Sequence, residues 1–194
     1  MNDRSPEYIR PLLVRIDRLM AERERVLVAI DGGSASGKTT LGALLQSIYA
    51  CPVFHMDDFF LRPEQRTPER FSEPGGNVDR ERFLSEVLLP LREGKTVDYR
   101  RFDCKTFTIA SPRRIEPGRL NIIEGAYATH PDLAPYYDLS VFLDISPELQ
   151  RERISRRNTP EKAKRFFAEL IPMEQAYFAA FDIPAKCTLR LPIL

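Results

Sequence analysis

The stretch that most limits what this chain can become runs from Val26 to Thr40. An apolar segment, Val26-Leu27-Val28-Ala29-Ile30, leads into Asp31-Gly32-Gly33-Ser34-Ala35-Ser36-Gly37-Lys38-Thr39-Thr40. Four residues separate Gly32 from Gly37, and Lys38 and Thr39 follow at once, which meets every fixed position of a phosphate-binding loop (Walker A). The preceding run is β-branched and uncharged, as a central parallel strand should be, and a helix-forming segment follows. Glycine permits positive φ and close approach of the backbone, so successive N–H groups can converge on phosphate oxygens. Lys38 is then expected against the β- and γ-phosphates and the Thr39 hydroxyl on Mg²⁺, with the helix N-terminus turned to the same charge. Gly32, Gly33, Ser34, Ala35, Ser36, Gly37, Lys38, Thr39 and Thr40 are the candidate nucleotide-binding residues. Two roles are open to Asp31: accepting loop N–H groups, or standing near the metal.

With 194 residues the chain suits one core with a small inserted region. A net charge of +1 gives no reason to expect a nucleic-acid or anionic-membrane surface. No apolar run approaches a membrane span, and the Met-Asn-Asp-Arg-Ser-Pro start has no signal-peptide core, so a cytoplasmic location is expected. Cys51, Cys104 and Cys187 lack metal-ligand spacing and read as reduced thiols.

Helical spacing of Ile9, Leu12, Leu13, Ile16, Leu19 and Met20 predicts an N-terminal helix within residues 1–22, started by Ser5-Pro6 or by Pro11. A helix over 38–49 is expected to bury Leu41, Leu44, Leu45 and Ile48. Residues 52–55 form a short second strand that delivers Asp57, Asp58, Phe59 and Phe60 at its C-terminal end, where α/β sheets place ligands. Such a carboxylate pair suits a hydroxyl-activating base with a metal or structural ligand beside it, or a helix cap. Residues 61–77 read as a long mobile loop without apolar period. Asp79 either caps the next helix, which buries Phe83, Val87 and Leu88, or binds substrate hydroxyls. Residues 96–109 suggest a strand pair with one aromatic face, and 112–118 a basic loop. Strands over 120–123 and 139–145 follow, the first ending in Glu124, a position suited to a nearby Mg²⁺. Ser146-Pro147-Glu148 opens a helix on which Arg153 and Arg156 share a side and could reach one phosphate. A further helix over about 160–180 precedes a last strand over 187–191. Strands alternating with helices indicate a parallel sheet wound by helices, an α/β fold.

Taken together, these residues resemble the uridine kinase and phosphoribulokinase branch of P-loop kinases. Gly32 to Thr40 is close to that group's own loop wording; Asp57-Asp58-Phe59-Phe60 resembles its Asp-Ser-Phe-Tyr, Asn77-Val78-Asp79 its Asn-Phe-Asp, and Phe102-Asp103 its Tyr-Asp. Glu124-Gly125 and the Arg153, Arg156 pair follow in the family's order, so the resemblance covers about 26–158. It implies a P-loop NTPase three-layer α/β/α fold, with a mainly parallel five-stranded sheet, an acceptor-binding insertion over about 61–118 and a lid over about 151–165. ATP and Mg²⁺ are the implied cofactors. By the same resemblance Asp57 is the base; Asp79, with Phe60, Phe102 and Arg153, binds the acceptor; Thr39, Glu124 and Asp57 organise Mg²⁺; and Lys38, Arg153 and Arg156 stabilise the transferring phosphoryl group. Two family features are missing: Phe102 lacks the tyrosine hydroxyl, and no histidine lies near Phe107. Arg100, Arg101 or Lys105 could instead favour an anionic or other polar acceptor. His55 and His130 read as structural.

The expected activity is transfer of the γ-phosphoryl group of ATP to a hydroxyl of a nucleoside, uridine-kinase-like, or of a related metabolite. Pantothenate, a riboside or a sugar phosphate are alternative acceptors. A non-catalytic nucleotide-binding regulatory module is the competing class, and a nucleic-acid end kinase is disfavoured by the near-neutral charge. No Asn-Lys-x-Asp motif points to a GTPase. The partner is expected to be a small-molecule acceptor, with no membrane; a homo-oligomer is left open.

Overall fold

A computed structural model describes residues 6–193, so the Ser5 half of the expected first cap lies outside the described residues. In chain order the strands are β1 Val26–Gly32, β2 Val53–His55, β3 Val97–Tyr99, β4 Phe102–Asp103, β5 Thr108–Ile109, β6 Arg113–Ile115, β7 Leu120–Glu124, β8 Leu139–Ile145 and β9 Leu189–Ile193. Five of them make one sheet in the order β2-β7-β1-β8-β9, and every pairing in it is parallel. The two remaining pairs, β3 with β6 and β4 with β5, are small and antiparallel.

Because successive strand side chains point to opposite faces, β1 divides its apolar residues between two cores. Val26, Val28 and Ile30 pack with Leu12 and Ile16 of the Arg10–Glu22 helix and with Leu41 and Leu45 of the Lys38–Tyr49 helix. Leu27 faces the other way, into a core shared with Phe54, Ile123, Phe83, Val87 and Tyr177. Helices thus cover both faces, giving an α/β fold of three layers, and β1 is buried along its whole length as the uncharged run required. No helix among the described residues is long and apolar enough to cross a membrane.

Several local expectations change. Leu44 and Ile48 are 39% and 48% exposed, because Leu41 and Leu45, one turn apart, already fill the stripe that the Lys38–Tyr49 helix lays on the sheet. The segment 61–77 contains short helical turns, Pro63–Gln65 and Pro68–Ser72. Arg70 pins it by donating to the Gly76 and Val78 carbonyls and to Glu81. Order built from polar groups leaves no apolar period to read. The 112–118 loop contributes β6, so the expected hairpin is two nested strand pairs. β9 begins two residues later than the expected strand.

Register decides what meets at the C-terminal edge of the sheet. Ile30 and His55 both lie opposite Glu124, so the ends of β1, β2 and β7 converge there. A ligand crevice belongs at this edge in an open α/β sheet.

Candidate active site

β1 runs directly into the glycine-rich turn, and the Lys38–Tyr49 helix leaves it. Gly32 has φ +144°, and a Cβ there would stand 2.5 Å from the Leu143 carbonyl oxygen, so only glycine fits. Gly37, at φ +100°, turns the chain into the helix. Lys38 Nζ donates to the Gly32 and Gly33 carbonyls at 2.8 and 3.0 Å, which holds the ammonium against the loop. Gln150 Nε2 donates to the Ser34 carbonyl at 2.9 Å and Arg153 Nη1 to that of Ala35 at 3.3 Å, tying the loop to the Pro147–Arg157 helix.

Asp31 lies fully buried beneath this turn. Its carboxylate accepts from the backbone N–H of Gly32, Tyr127 and Thr129 at 2.7, 3.2 and 2.9 Å, and from the hydroxyls of Thr129 and Tyr177 at 2.8 and 2.9 Å. Of its two open roles the structure supports the first, acceptance of loop N–H groups. The residue braces β1 against the 125–130 turn and the Ile171–Phe181 helix.

A cavity of about 1200 Å³ opens over the loop, lined by Ser34 to Thr40, Asp57, Phe60, Glu124, Arg153 and Arg156. Asp57 presents surface to the cavity, yet its carboxyl lies deep among protein atoms. That burial pushes its pKa up while the Lys38 charge pulls it down. The neighbouring Asp58 is turned away and accepts from the Tyr99 hydroxyl at 2.8 Å and Arg101 Nε at 2.9 Å. Glu124, 4% exposed at the end of β7, accepts from Thr39 Oγ1 at 3.1 Å. The same carboxylate oxygen is 2.5 Å from His55 Nδ1, and this hydrogen bond pushes the histidine pKa up. His55, read from the sequence as structural, therefore touches the carboxylate expected near Mg²⁺.

The structure does not bring every expected residue to the cavity. Gly32 and Gly33 form the underside of the loop. Asp79 is fully buried; it caps its helix by accepting the Arg82 N–H at 3.1 Å and pairs with Arg62 Nε at 3.2 Å. Phe102 is also outside the cavity, 5% exposed, edge-on to Phe107 and under the Arg66 guanidinium. Arg100 and Arg101 are occupied by Glu86 and Asp58. Lys105 does not line the cavity either.

In their place the cavity wall includes Asn77 and Val78, of the stretch in which the resemblance gave a role to Asp79 alone, and Ala126, Tyr127 and Glu174, which the sequence did not single out. Asn77 Oδ1 is buried with no hydrogen-bond partner among the described residues. Glu174 is 3% exposed and accepts from Ser34 N and Oγ at 2.9 and 2.5 Å. One signal could have found it: Glu174 shares a helical face with Tyr177 and Phe178, three and four positions on, and so puts a carboxylate at a core register.

Comparison with known proteins places this geometry among relatives. The Phosphoribulokinase / Uridine kinase family matches residues 27–165. Uridine kinase-like protein 4 of Arabidopsis thaliana is 27% identical over 177 residues, covering 85% of this chain and 37% of that protein. The bifunctional alpha-galactosidase/sucrose kinase of Mediterraneibacter gnavus is 32% identical over 174 residues, covering 78% of this chain and 18% of that protein. The chain thus spans well under half of each of these two relatives. Among solved structures, a "putative fructose transport system kinase" from Silicibacter sp. superposes with a TM-score of 0.75 at 24% identity, over 95% of this chain and 98% of that one, which is a likeness of fold.

Proposed function

The chain belongs to the phosphoribulokinase / uridine kinase family, and from that premise we propose that it transfers the γ-phosphoryl group of ATP to a hydroxyl of a small-molecule acceptor. One observation carries this reading: Asp57 lines the same cavity as Lys38 and the loop, where burial raises its pKa and the lysine charge opposes that rise. A carboxylate there can take the proton of an acceptor hydroxyl as it attacks. Phosphoryl transfer asks little covalent chemistry of the protein, so placement and charge supply most of the catalysis. Lys38, Arg153, Arg156 and Arg157 are cations that line the cavity, and the first three are those proposed to stabilise the transferring phosphoryl group. Arg153 is held at the loop through the Ala35 carbonyl, whereas Arg156 is exposed; a lid over 151–165 closing on the acceptor would exclude water.

Thr39 Oγ1 and Glu124 Oε1, with Asp57 on the same cavity, are an oxygen-only set that suits Mg²⁺. Among the described residues no cluster of three or more His, Cys, Asp or Glu forms a metal cage, which accords with an ion that relies on phosphate oxygens and water for its other ligands. When bound, the ion supplies charge neutralisation across the phosphates.

For the acceptor, a nucleoside is the family's first suggestion, but the cavity wall favours a sugar-like or other non-nucleoside polyol. Phe102 and Asp79 are buried outside the cavity lining, and neither histidine lines it. Phe60, Asn77, Val78 and Tyr127 offer apolar surface with two polar groups, which suits a hydroxyl-bearing acceptor. The sucrose kinase relative adds support. The test is coupled ADP release against nucleosides, sugars, ribosides, pantothenate and sugar phosphates. A neutral sugar or polyol as best acceptor is the expected result, and uridine as best acceptor would return the base-reading alternative. Binding of ATP–Mg²⁺ with no acceptor in the whole panel would favour the regulatory module.

A further inference from the structure

Glu174 is the buried carboxylate of the cavity that the proposed transfer leaves without a task. The Ile171–Phe181 helix docks its Glu174, Tyr177 and Phe178 face inward, and Tyr177 reaches the Asp31 brace below the loop. Above that brace the Glu174 carboxylate takes two donors of Ser34 at once, its N–H and its hydroxyl. These are donors of the kind that a loop of this pattern turns toward an anion.

The surrounding charges place the contact within the cavity. Ser34, Lys38, Asp57 and Glu174 all line the one cavity, and in both carboxyls burial raises the pKa while the charge of Lys38, the lysine expected at the β- and γ-phosphates, opposes that rise. Tyr127 lines the same cavity as Glu174 and Asp57. Glu174 accepts from Ser34 whereas the Thr39 hydroxyl donates to Glu124, so the two carboxylates hold different groups of the loop. A γ-phosphate arriving here meets a carboxylate already seated on loop donors, and like charges so close in a partly dry site repel strongly.

We propose that Glu174 is a latch on the phosphate loop, holding the Ser34 donors until a γ-phosphate displaces it, and so distinguishes a nucleoside triphosphate from a diphosphate. The inference rests on the nucleotide-binding reading above. Release of the latch frees the Ser34 hydroxyl to donate to the phosphate that displaced the carboxylate. A diphosphate, with no third phosphate to place beside Asp57, seats with Glu174 still closed.

The test is isothermal titration calorimetry on the full chain with Mg²⁺·AMP-PNP and with Mg²⁺·ADP, for the wild type and Glu174→Gln. Glutamine keeps the size and removes the charge. The expected result is binding of AMP-PNP about tenfold tighter in the variant, with ADP affinity unchanged within about twofold. An equal change for both nucleotides, or no change for either, overturns the latch. A wild type that binds neither nucleotide overturns the nucleotide-binding reading and the latch with it. Hydrogen exchange on the wild type needs no variant: AMP-PNP should raise exchange over residues 171–178 and ADP should not. Identical exchange with the two nucleotides overturns the proposal even if the variant fails to fold.

Discussion

The phosphate loop draws its functional atoms from consecutive residues, Gly32 to Thr40, whereas the opposite wall of the cavity collects Asp57, Phe60, Asn77, Tyr127 and Glu174 from distant parts of the chain. The loop's shape is set locally, by left-handed glycines and by a lysine bound to its own turn. The wall's shape is set by which side chains are held elsewhere. Asp57 and Asp58 show the difference within one dipeptide: Tyr99 and Arg101 hold Asp58 away, and only Asp57 is left on the cavity. A local motif therefore carries its geometry with it, while an assembled wall can keep a family's residue types and still present a different surface.

The largest expected effect tests whether the two halves act on one reaction. Asp57→Asn should lower kcat about 10³-fold, as loss of a positioned base does. Nucleotide affinity, which belongs to the loop, should stay within about twofold by calorimetry. Undiminished turnover in this variant would remove Asp57 from the role of base and leave the acceptor half without one.

Asp79 comes next, because the resemblance and the structure assign it different work. As a buried cap paired with Arg62, and with the Arg82 guanidinium 3.6 Å away, Asp79 should cost about 3 kcal/mol of stability when changed to Ala, since the partner charges lose their counterion. Thermal unfolding should show that loss, while the KM of the best acceptor moves less than about threefold. A large rise in KM at unchanged melting temperature would instead restore Asp79 to the acceptor site.

A smaller effect is expected at the seam between the halves. His55 fixes the Glu124 carboxylate that also meets Thr39. His55→Ala should raise the Mg²⁺ concentration for half-maximal activity about tenfold, the usual cost of losing an orienting partner behind a metal ligand. Saturating Mg²⁺ should largely restore kcat. A kcat defect that Mg²⁺ does not rescue would mean that His55 serves the reacting groups directly.

How much of this was legible in the sequence follows the same division. The inner strands β1, β7 and β8 were readable because a strand buried on both faces must be mainly apolar, and the caps at Asp79 and Ser146 because a side-chain oxygen three residues before an N–H has few other uses. Asp57 and Glu124 were readable because the ends of parallel strands are where ligands sit. The packing of Phe102 outside the cavity was not, since it depends on the β4–β5 pairing and on Arg66 arriving from another segment. Glu174 was hidden for a related reason: its partner, Ser34, is far away in sequence, and no local pattern connects them.

Phe102 offers the smallest and most discriminating change. Its ring lies edge-on to Phe107 with a centroid separation of 6.2 Å, and the Arg66 guanidinium stands over both rings, at 5.6 and 4.9 Å. Replacing it with leucine keeps an apolar group of similar bulk, so the expected loss is only about 1 kcal/mol of stability. Because the ring does not line the cavity, KM for every acceptor tried, uridine included, should stay within about twofold of the wild type. A selective rise in KM for nucleosides, with sugars unaffected, would show that the strand pair swings Phe102 inward when a base binds. The acceptor half would then be a surface that rearranges around its ligand, in contrast to a loop whose geometry is already set by its own backbone.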